Sequence, residues 1–505
     1  MEPTAGKRGS LRNFLARLLL FGVFLLLLRF AYVITITGDS CGFGSFCFFS
    51  PSENVHFLVS GYDHSTIGAR AVPSNRAVRS ALRPELYNSR EWIKGAQFYS
   101  SVFRNLISEG YLTPESKSLC VDTSTGSDVF TLKENGILDS IGISKKTGKL
   151  HRLPLGDNTF DFVFSGEGGL DKSARPSEFA SEIARTLKPK GFVVFHVRAN
   201  DSYSFNSFLD LFNCCRVVKS RDIDGFDSSL PCVREIVLRK ESDGIIGHEN
   251  EKQNSNGNCT VLGYKQELVA KAEPLIAEEP LKPWITLKRN IKNVKYLPSM
   301  VDISFKNRYV YVDVGARSYG SSIGSWFRKQ YPKQNKTFHV YAIEADKTFH
   351  QEYGSKKGIT LLPYAAWVKN ETLTFEIHRE PGKREETKGR GMGRIQPLQF
   401  AGDYDGEAEK IQGFDFAEWL KNTVSKNDFV VMKMDVEGAE FDLIPRLFET
   451  GAICLVDEIF LECHYNRWQR CCPGQRSSKY EKTYGQCLAL FYSLRRRGVL
   501  VHQWW

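Results

Sequence analysis

The most regular apolar patterning lies late in the chain. Residues 429–434 form an apolar, β-branched-rich run that predicts a buried strand, and Phe441, Leu443, Ile444 and Leu447 then recur at helical spacing. Between them Asp435 and Glu437 fall where a strand ends and a helix begins, with Gly438 beside them to let the backbone turn. In open α/β sheets that edge, outside the carboxyl ends of the strands, is where ligands bind. From residue 309 onward strand-like runs alternate with helical patterns, which predicts a parallel sheet with crossover helices. An earlier series over 117–239 has the same character: an apolar run at 118–122 followed by a turn, another at 160–164, and a helix-to-strand sequence over 182–195. Residues 92–108 add a helical stretch ahead of it. Residues 241–279 are polar and read as a linker with a disordered centre at 250–258. No repeat of solenoid period is visible.

The N-terminus carries a different pattern. Lys7, Arg8, Arg12 and Arg17 precede an apolar run at 18–28, which Arg29 interrupts before residues 30–36 continue it. The two pieces approach the roughly 20 residues needed to span a bilayer. No small-residue cleavage site follows, which favours a retained signal-anchor over a removed signal peptide. The basic flank predicts a cytosolic N-terminus and a lumenal body, a single-pass type II arrangement. The resulting division is a tail and anchor at 1–37, a stem at 38–78, a first domain at 79–240, a linker at 241–281 and a second domain at 282–505.

Composition narrows the classes. The 505 residues carry a formal charge of +10 without long basic runs, which speaks against a nucleic-acid binder. All 12 cysteines follow the apolar run, and N-x-S/T acceptor sites stand at Asn200, Asn258, Asn335 and Asn370. In an oxidising lumen cysteines pair. The group Cys214, Cys215, Cys232 and Cys259 and the group Cys454, Cys463, Cys471, Cys472 and Cys487 are candidate disulfide sets of open connectivity. Zinc sites use paired C-x-x-C units, and with none present no metal site is expected.

The candidate chemistry sits in the second domain. Asp313 to Gly324 follows a strand and opens a helix, the context in which a glycine turn cradles a cofactor, with Gly315 and Gly320 as the turn glycines. Glu344 ends the next strand, where a carboxylate can accept hydrogen bonds from ribose hydroxyls, and Asp346 could substitute for it. Asp435 and Glu437 can hold an acceptor or take its proton, or else cap the following helix. Glu440 reads as a helix-face charge and Lys433 as a strand residue reaching solvent. His464 follows a further strand and is either a general base, half-ionised near neutral pH, or a structural histidine. The Gly- and Arg-rich segment 388–394 is a disordered loop or a cover over an acceptor site.

Several of these stretches together resemble the FkbM family of methyltransferases. The stretch Lys433-Met434-Asp435-Val436-Glu437-Gly438-Ala439-Glu440 is similar to its late motif, Tyr311-Val312-Asp313-Val314-Gly315 to its first strand and turn, and Val340-Tyr341-Ala342-Ile343-Glu344-Ala345-Asp346 to its second. Ala365-Ala366-Trp367 falls where the family has its third strand, and 414–420 where it has an L-D-x-F-L-like segment. The likeness covers about residues 308–464. It departs in the first turn, which has Arg317 and no second close glycine, and in a polar insert at 379–409. It implies S-adenosylmethionine as cofactor, with Asp313, Gly315, Gly320, Glu344 and Asp346 around it and Asp435, Glu437 and His464 as catalytic residues. The first domain resembles small-molecule methyltransferases at 152–164 and 182–195, but keeps Gly126 alone in its turn and ends its second strand, 139–143, without an acid.

The expected fold class is therefore α/β, with two Rossmann-like class I methyltransferase-type domains, the first degenerate, behind a transmembrane helix. The expected function is O-methylation of a glycan or other hydroxyl acceptor in the lumen of the Golgi or another secretory compartment. Two rivals are a glycosyltransferase, using the D-x-D-like pairs Asp222/Asp224 or Asp403/Asp405, and a catalytically inactive scaffold.

Overall fold

The computed structural model describes residues 89–144, 152–227, 230–241, 261–280, 291–379, 390–396, 408–469 and 474–504. The expected anchor and stem lie outside the described residues, as do Asn258, the linker centre at 250–258 and the Asp403/Asp405 pair. Among the described residues no helix is long and apolar enough to cross a membrane.

The first half builds one sheet from β1 (Ser118–Val121), β2 (Ser140–Ile143), β3 (Phe160–Ser165), β4 (Leu187–Val197), β5 (Cys215–Asp227) and β6 (Leu230–Lys240), in the order β2-β1-β3-β4-β6-β5. β1 to β4 are parallel, and β6 runs antiparallel to both β4 and β5. Helices α1 (Arg90–Ser108), α2 (Ser127–Glu134), α3 (Pro176–Thr186) and α4 (Ser202–Leu209) cover it. Asp222 lies inside the β5–β6 hairpin, paired with Arg234 at 2.9 Å, and not at a ligand-binding strand end.

In the second half, β7 (Tyr309–Val314), β8 (Phe338–Ile343) and β9 (Ile359–Leu362) are followed by β10 (Ala365–Trp367), β11 (Glu371–Arg379), β12 (Arg390–Gln396) and β13 (Ala408–Asp415), then β14 (Phe429–Met434), β15 (Glu458–Glu462) and β16 (Leu500–Trp504). The main sheet has the order β16-β15-β14-β7-β8-β9 and is parallel throughout. This is the doubly wound arrangement, with its topological switch between β7 and β14. Every residue of β14 is buried, as strands covered on both faces require. Side chains alternate: Val310, Val312, Val314, Val430, Met432 and Met434 enter the core under α6 (Phe416–Thr423) and α7 (Glu440–Glu449). Tyr311, Phe429 and Val431 face the opposite layer with Trp326, Phe327 and Tyr331.

Two expectations about this half change. Ala365–Trp367 is not the third strand of the main sheet; β9 is, and β10 instead pairs with β13 in a separate sheet of order β10-β13-β11-β12. Part of the polar insert is a strand, β12, because β11 offers it an antiparallel partner. The linker also contributes structure. Helix α5 (Gly263–Ala270) lies within it, and Glu273 and Ile276 bond to His502 and Gln503 of β16. The halves meet where Tyr203 donates to Asp457 at 3.1 Å and Asp302 N–H donates to Asp201 at 3.0 Å, just ahead of β15 and β7. That contact lies at the amino ends of the second sheet.

One predicted cysteine set is paired in part, with Cys471 and Cys472 outside the described residues. Cys463 at the end of β15 bonds Cys487 in α8 (Tyr484–Arg496), and Cys454 is also disulfide-bonded. Cys214 and Cys215 remain thiols with sulfurs 3.5 Å apart. The Cys463–Cys487 bridge closes a loop with a sequence separation of 24. Replacing both residues by alanine should therefore lower stability by about 3 kcal/mol, read as a shift in urea midpoint at unchanged slope.

Candidate functional site

The carboxyl ends of β7, β8 and β14 open onto a cleft lined by Val314, Gly315, Ile343, Glu344 and Asp435. Gly315 turns the chain out of β7 with φ 77°. A Cβ there would collide with the carbonyl oxygen of Asp435, so the glycine is demanded by the approach of β14 as well as by any ligand. Arg317 stands where a second glycine was missing and takes φ 50°, a left-handed conformation. Its N–H donates to Glu344 at 2.5 Å, and Asp346 N–H donates to the other Glu344 oxygen at 2.7 Å. Burial raises the Glu344 carboxyl to about 7 despite these two bonds. Asp346 lines the same cleft while capping the turn at 347–349 through Thr348 N–H at 2.9 Å. Ile343, Phe349, Tyr364, Ala366, Phe375 and Ile395 make the apolar end, the last supplied by β12.

Beneath the cleft, Lys433 is buried rather than solvated. It is the register partner of Asp313, and its ammonium lies 3.6 Å from Asp313 and 3.1 Å from Asp435, donating also to the Gly315 carbonyl at 3.2 Å. Burial alone would lower its pKa, but Asp435 and Asp313 outweigh it and hold the ammonium charged. Asp313 is fully buried; it accepts from Ser322 and Tyr311 and does not line the cleft. It positions Lys433 and the turn from beneath, whereas Glu344 and Asp346 stand in the cleft lining. Gly320 is exposed and likewise outside the cleft lining, because the turn between β7 and the helical residues 323–327 carries it outward.

Asp435 and Glu437 do not cap α7; its N-terminal residue Ala439 makes no side-chain cap bond. Both line the cleft. Burial would raise the Asp435 carboxyl, but Lys433 and then His464 hold it below the usual range. Glu437 sits at φ 50°, a strained conformation for a side-chain-bearing residue, and its outer oxygen accepts from Lys479 at 3.0 Å and from Tyr480. Glu440 is not a helix-face charge. It is fully buried and accepts the His464 N–H at 2.6 Å, the Gly438 N–H at 2.9 Å and His464 Nδ1 at 3.2 Å. His464 is not half-ionised either. Burial would lower it, but Glu440, Glu437 and Asp435 raise it to about 9. Its Nε2 lies 3.7 Å from both Asp435 and Glu437. Glu462, the last residue of β15, joins them with a carboxyl raised to about 7, by burial first and then Asp435.

The corresponding edge of the first half is arranged differently. Asp122 ends β1 with φ 62°, and Gly169 packs against its carboxylate. Glu167 accepts Ser124 N–H at 3.2 Å, drawing the segment after β3 onto the turn after β1. Burial raises Glu167, and raises Asp171 to about 7. β2 ends without an acid, as its sequence indicated.

A doubly wound sheet with a ligand cleft at its switch point is thus the class that fold and site define. Comparison with known proteins adds a chemistry. Residues 101–195 match the methyltransferase domain family, and residues 269–376 and 395–505 match a domain of unknown function, DUF7870. No curated protein matches the chain. Among solved structures, it is similar to 1,6-didemethyltoxoflavin-N1-methyltransferase from Burkholderia thailandensis, bound to 1,6-didemethyltoxoflavin and S-adenosylhomocysteine: 12% identity over 34% of this chain and 93% of that one, TM-score 0.25. A SAM-dependent methyltransferase from Methanosarcina mazei is 12% identical over 27% of this chain and 97% of that one, TM-score 0.22. The chain therefore carries a methyltransferase domain, an enzyme class whose methyl donor is S-adenosylmethionine. The match falls on the half whose sequence read as the degenerate copy.

Removing the buried cation tests the architecture of the second site. Lys433→Met leaves Asp313 and Asp435 without their shared ammonium and should cost about 3–5 kcal/mol by chemical denaturation. Lys433→Met with Asp313→Asn should recover part of that loss.

Proposed function

We propose that S-adenosylmethionine occupies the cleft of the second half and that its methyl group passes to a hydroxyl of a glycan or similar acceptor. The observation that carries this reading is the convergence of Gly315, Glu344 and Asp435, from three strand ends, on one cleft. Glu344 takes the ribose diol, the apolar end takes the adenine, and the sulfonium lies toward Asp435. The FkbM-like motifs of this half support the same assignment. In the transfer the carbon–sulfur bond breaks as the carbon–oxygen bond forms, and the hydroxyl proton passes to a carboxylate at the strand ends. In this reading the first half, whose Glu167 bonds the turn after β1, is a structural partner that meets the second half at the amino ends of its sheet.

The secretory setting belongs to the same proposal: a single-pass membrane protein of the Golgi or a neighbouring compartment with its body in the lumen. The apolar run at 18–36, the Cys463–Cys487 disulfide and the exposure of Asn200, Asn335 and Asn370 support it.

Calorimetry on the full-length protein in detergent should detect S-adenosylmethionine binding. Glu344→Gln should weaken it by about tenfold to a hundredfold, the loss of hydrogen bonds to a charged group. Ribose hydroxyls donate to the ionised carboxylate, and Glu344 titrates at about 7. Affinity should therefore fall as pH drops through neutrality, by at most about tenfold per pH unit, and the fall should be lost in Glu344→Gln. Absence of binding, or binding of a nucleoside diphosphate in its place, overturns the proposal.

A further inference from the structure

We propose that Asp435, Glu437 and His464 form a binding site for a divalent transition-metal cation, Mn²⁺ by its ligand chemistry, which holds the acceptor oxygen in the cleft. The second clause rests on methyl transfer to a hydroxyl; the site itself does not.

One ligand atom from each residue lies within 4.8 Å of the others, with His464 Nε2 3.7 Å from Asp435 Oδ1 and 3.7 Å from Glu437 Oε1. Around an ion with bonds of about 2.1 Å, neighbouring donors sit roughly 3 Å apart and opposite ones about 4.2 Å apart. The observed spacing needs only small side-chain shifts to close on one ion.

A second observation points the same way. His464 is 5% exposed, yet its Nε2 makes no hydrogen bond among the described residues. It faces three carboxylate oxygens at ion-pair range, the third being Glu462 Oε1 at 3.9 Å, with none at hydrogen-bond distance. The opposite nitrogen, Nδ1, is bonded to the buried Glu440. A carboxylate behind the imidazole is the support that metal-ligating histidines use to fix ring orientation and present the other nitrogen.

Both acids are held from behind in the same way. Lys433 takes Asp435 Oδ2, and Lys479 and Tyr480 take Glu437 Oε2, leaving Oδ1 and Oε1 toward His464. The strained backbone of Glu437 keeps its carboxylate there. Two carboxylates with one imidazole, and coordination positions open to the cleft, suit a cation between the hard and borderline classes. Such an ion draws in an acceptor hydroxyl and makes its proton easier to lose.

The test uses the full-length protein in detergent, with Mn²⁺ titrated and the free ion followed by electron paramagnetic resonance. One bound Mn²⁺ is expected, weakened at least about tenfold by His464→Ala or Glu437→Gln and also by Glu440→Gln, with folding of each variant checked by thermal melting. Binding that none of the folded variants changes, or no Mn²⁺ binding at all, overturns the inference. S-adenosylmethionine binding is measured separately on the same protein. Cofactor binding without Mn²⁺ binding removes this site and leaves the methyltransfer reading intact. Mn²⁺ binding that the variants weaken, without cofactor binding, keeps the site and removes that reading.

Discussion

A lysine ammonium sealed between two aspartates fixes the geometry of the second half. Lys433 and Asp313 are register partners on adjacent strands, on a face otherwise occupied by Tyr311, Phe429 and Val431. An ion pair in such a place costs desolvation of both charges, and an apolar pair of equal volume would hold the sheet as well. What the charge adds is orientation. Lys433 bonds the carbonyl of Gly315 and one oxygen of Asp435, so β7 and β14 end in a fixed relation at the switch point. The turn glycine and the acid come together because a cation lies beneath both.

From that anchor the rest of the edge follows by contact. Asp435 faces His464, His464 is set by Glu440, and Glu440 also takes the N–H of Gly438 in the turn that carries Glu437. The disulfide at Cys463 ties the residue beside His464 to α8. The first half uses the same sheet logic to a different end. Its strand-end acids are drawn against its own loops, and Asp201, which begins α4, bonds Asp302 ahead of β7. The methyltransferase family match and the cleft at Gly315, Glu344 and Asp435 fall on different halves of one chain.

Much of this was legible in the pattern of residues. The run at 429–434, its following helix, the acid at Glu344 and the turn at Gly315 needed only periodicity and the rule that ligands meet strand ends. The polar interior was harder to read. Lys433 looked solvent-bound because a lone lysine on a strand is ordinarily so; the clue was that its strand is apolar throughout, which means both faces are covered. Glu440 looked like a helix-face charge because its partner, His464, lies 24 residues away and approaches only when β15 pairs with β14. Asp313 looked like a cofactor ligand from its motif, whereas register with Lys433 turns it beneath the floor. Ala365–Trp367 has the composition of a main-sheet strand, and only its pairing with β13 removes it to the side sheet.

The charge of the cleft contrasts with the charge of the chain. The sequence carries a net +10, whereas Glu344, Asp346, Asp435 and Glu437 line the cleft with Arg317, and Lys433 and Lys479 pair with Asp435 and Glu437 from behind it. Arg317 extends over the Phe349 ring, 5.8 Å from its centroid, and its backbone N–H donates to Glu344. Under the proposed function a sulfonium donor would carry its positive charge beside Glu344 and Asp435 on entry and lose it when the methyl group leaves. The neutral thioether product would then be held less than the donor was, which couples transfer to product release.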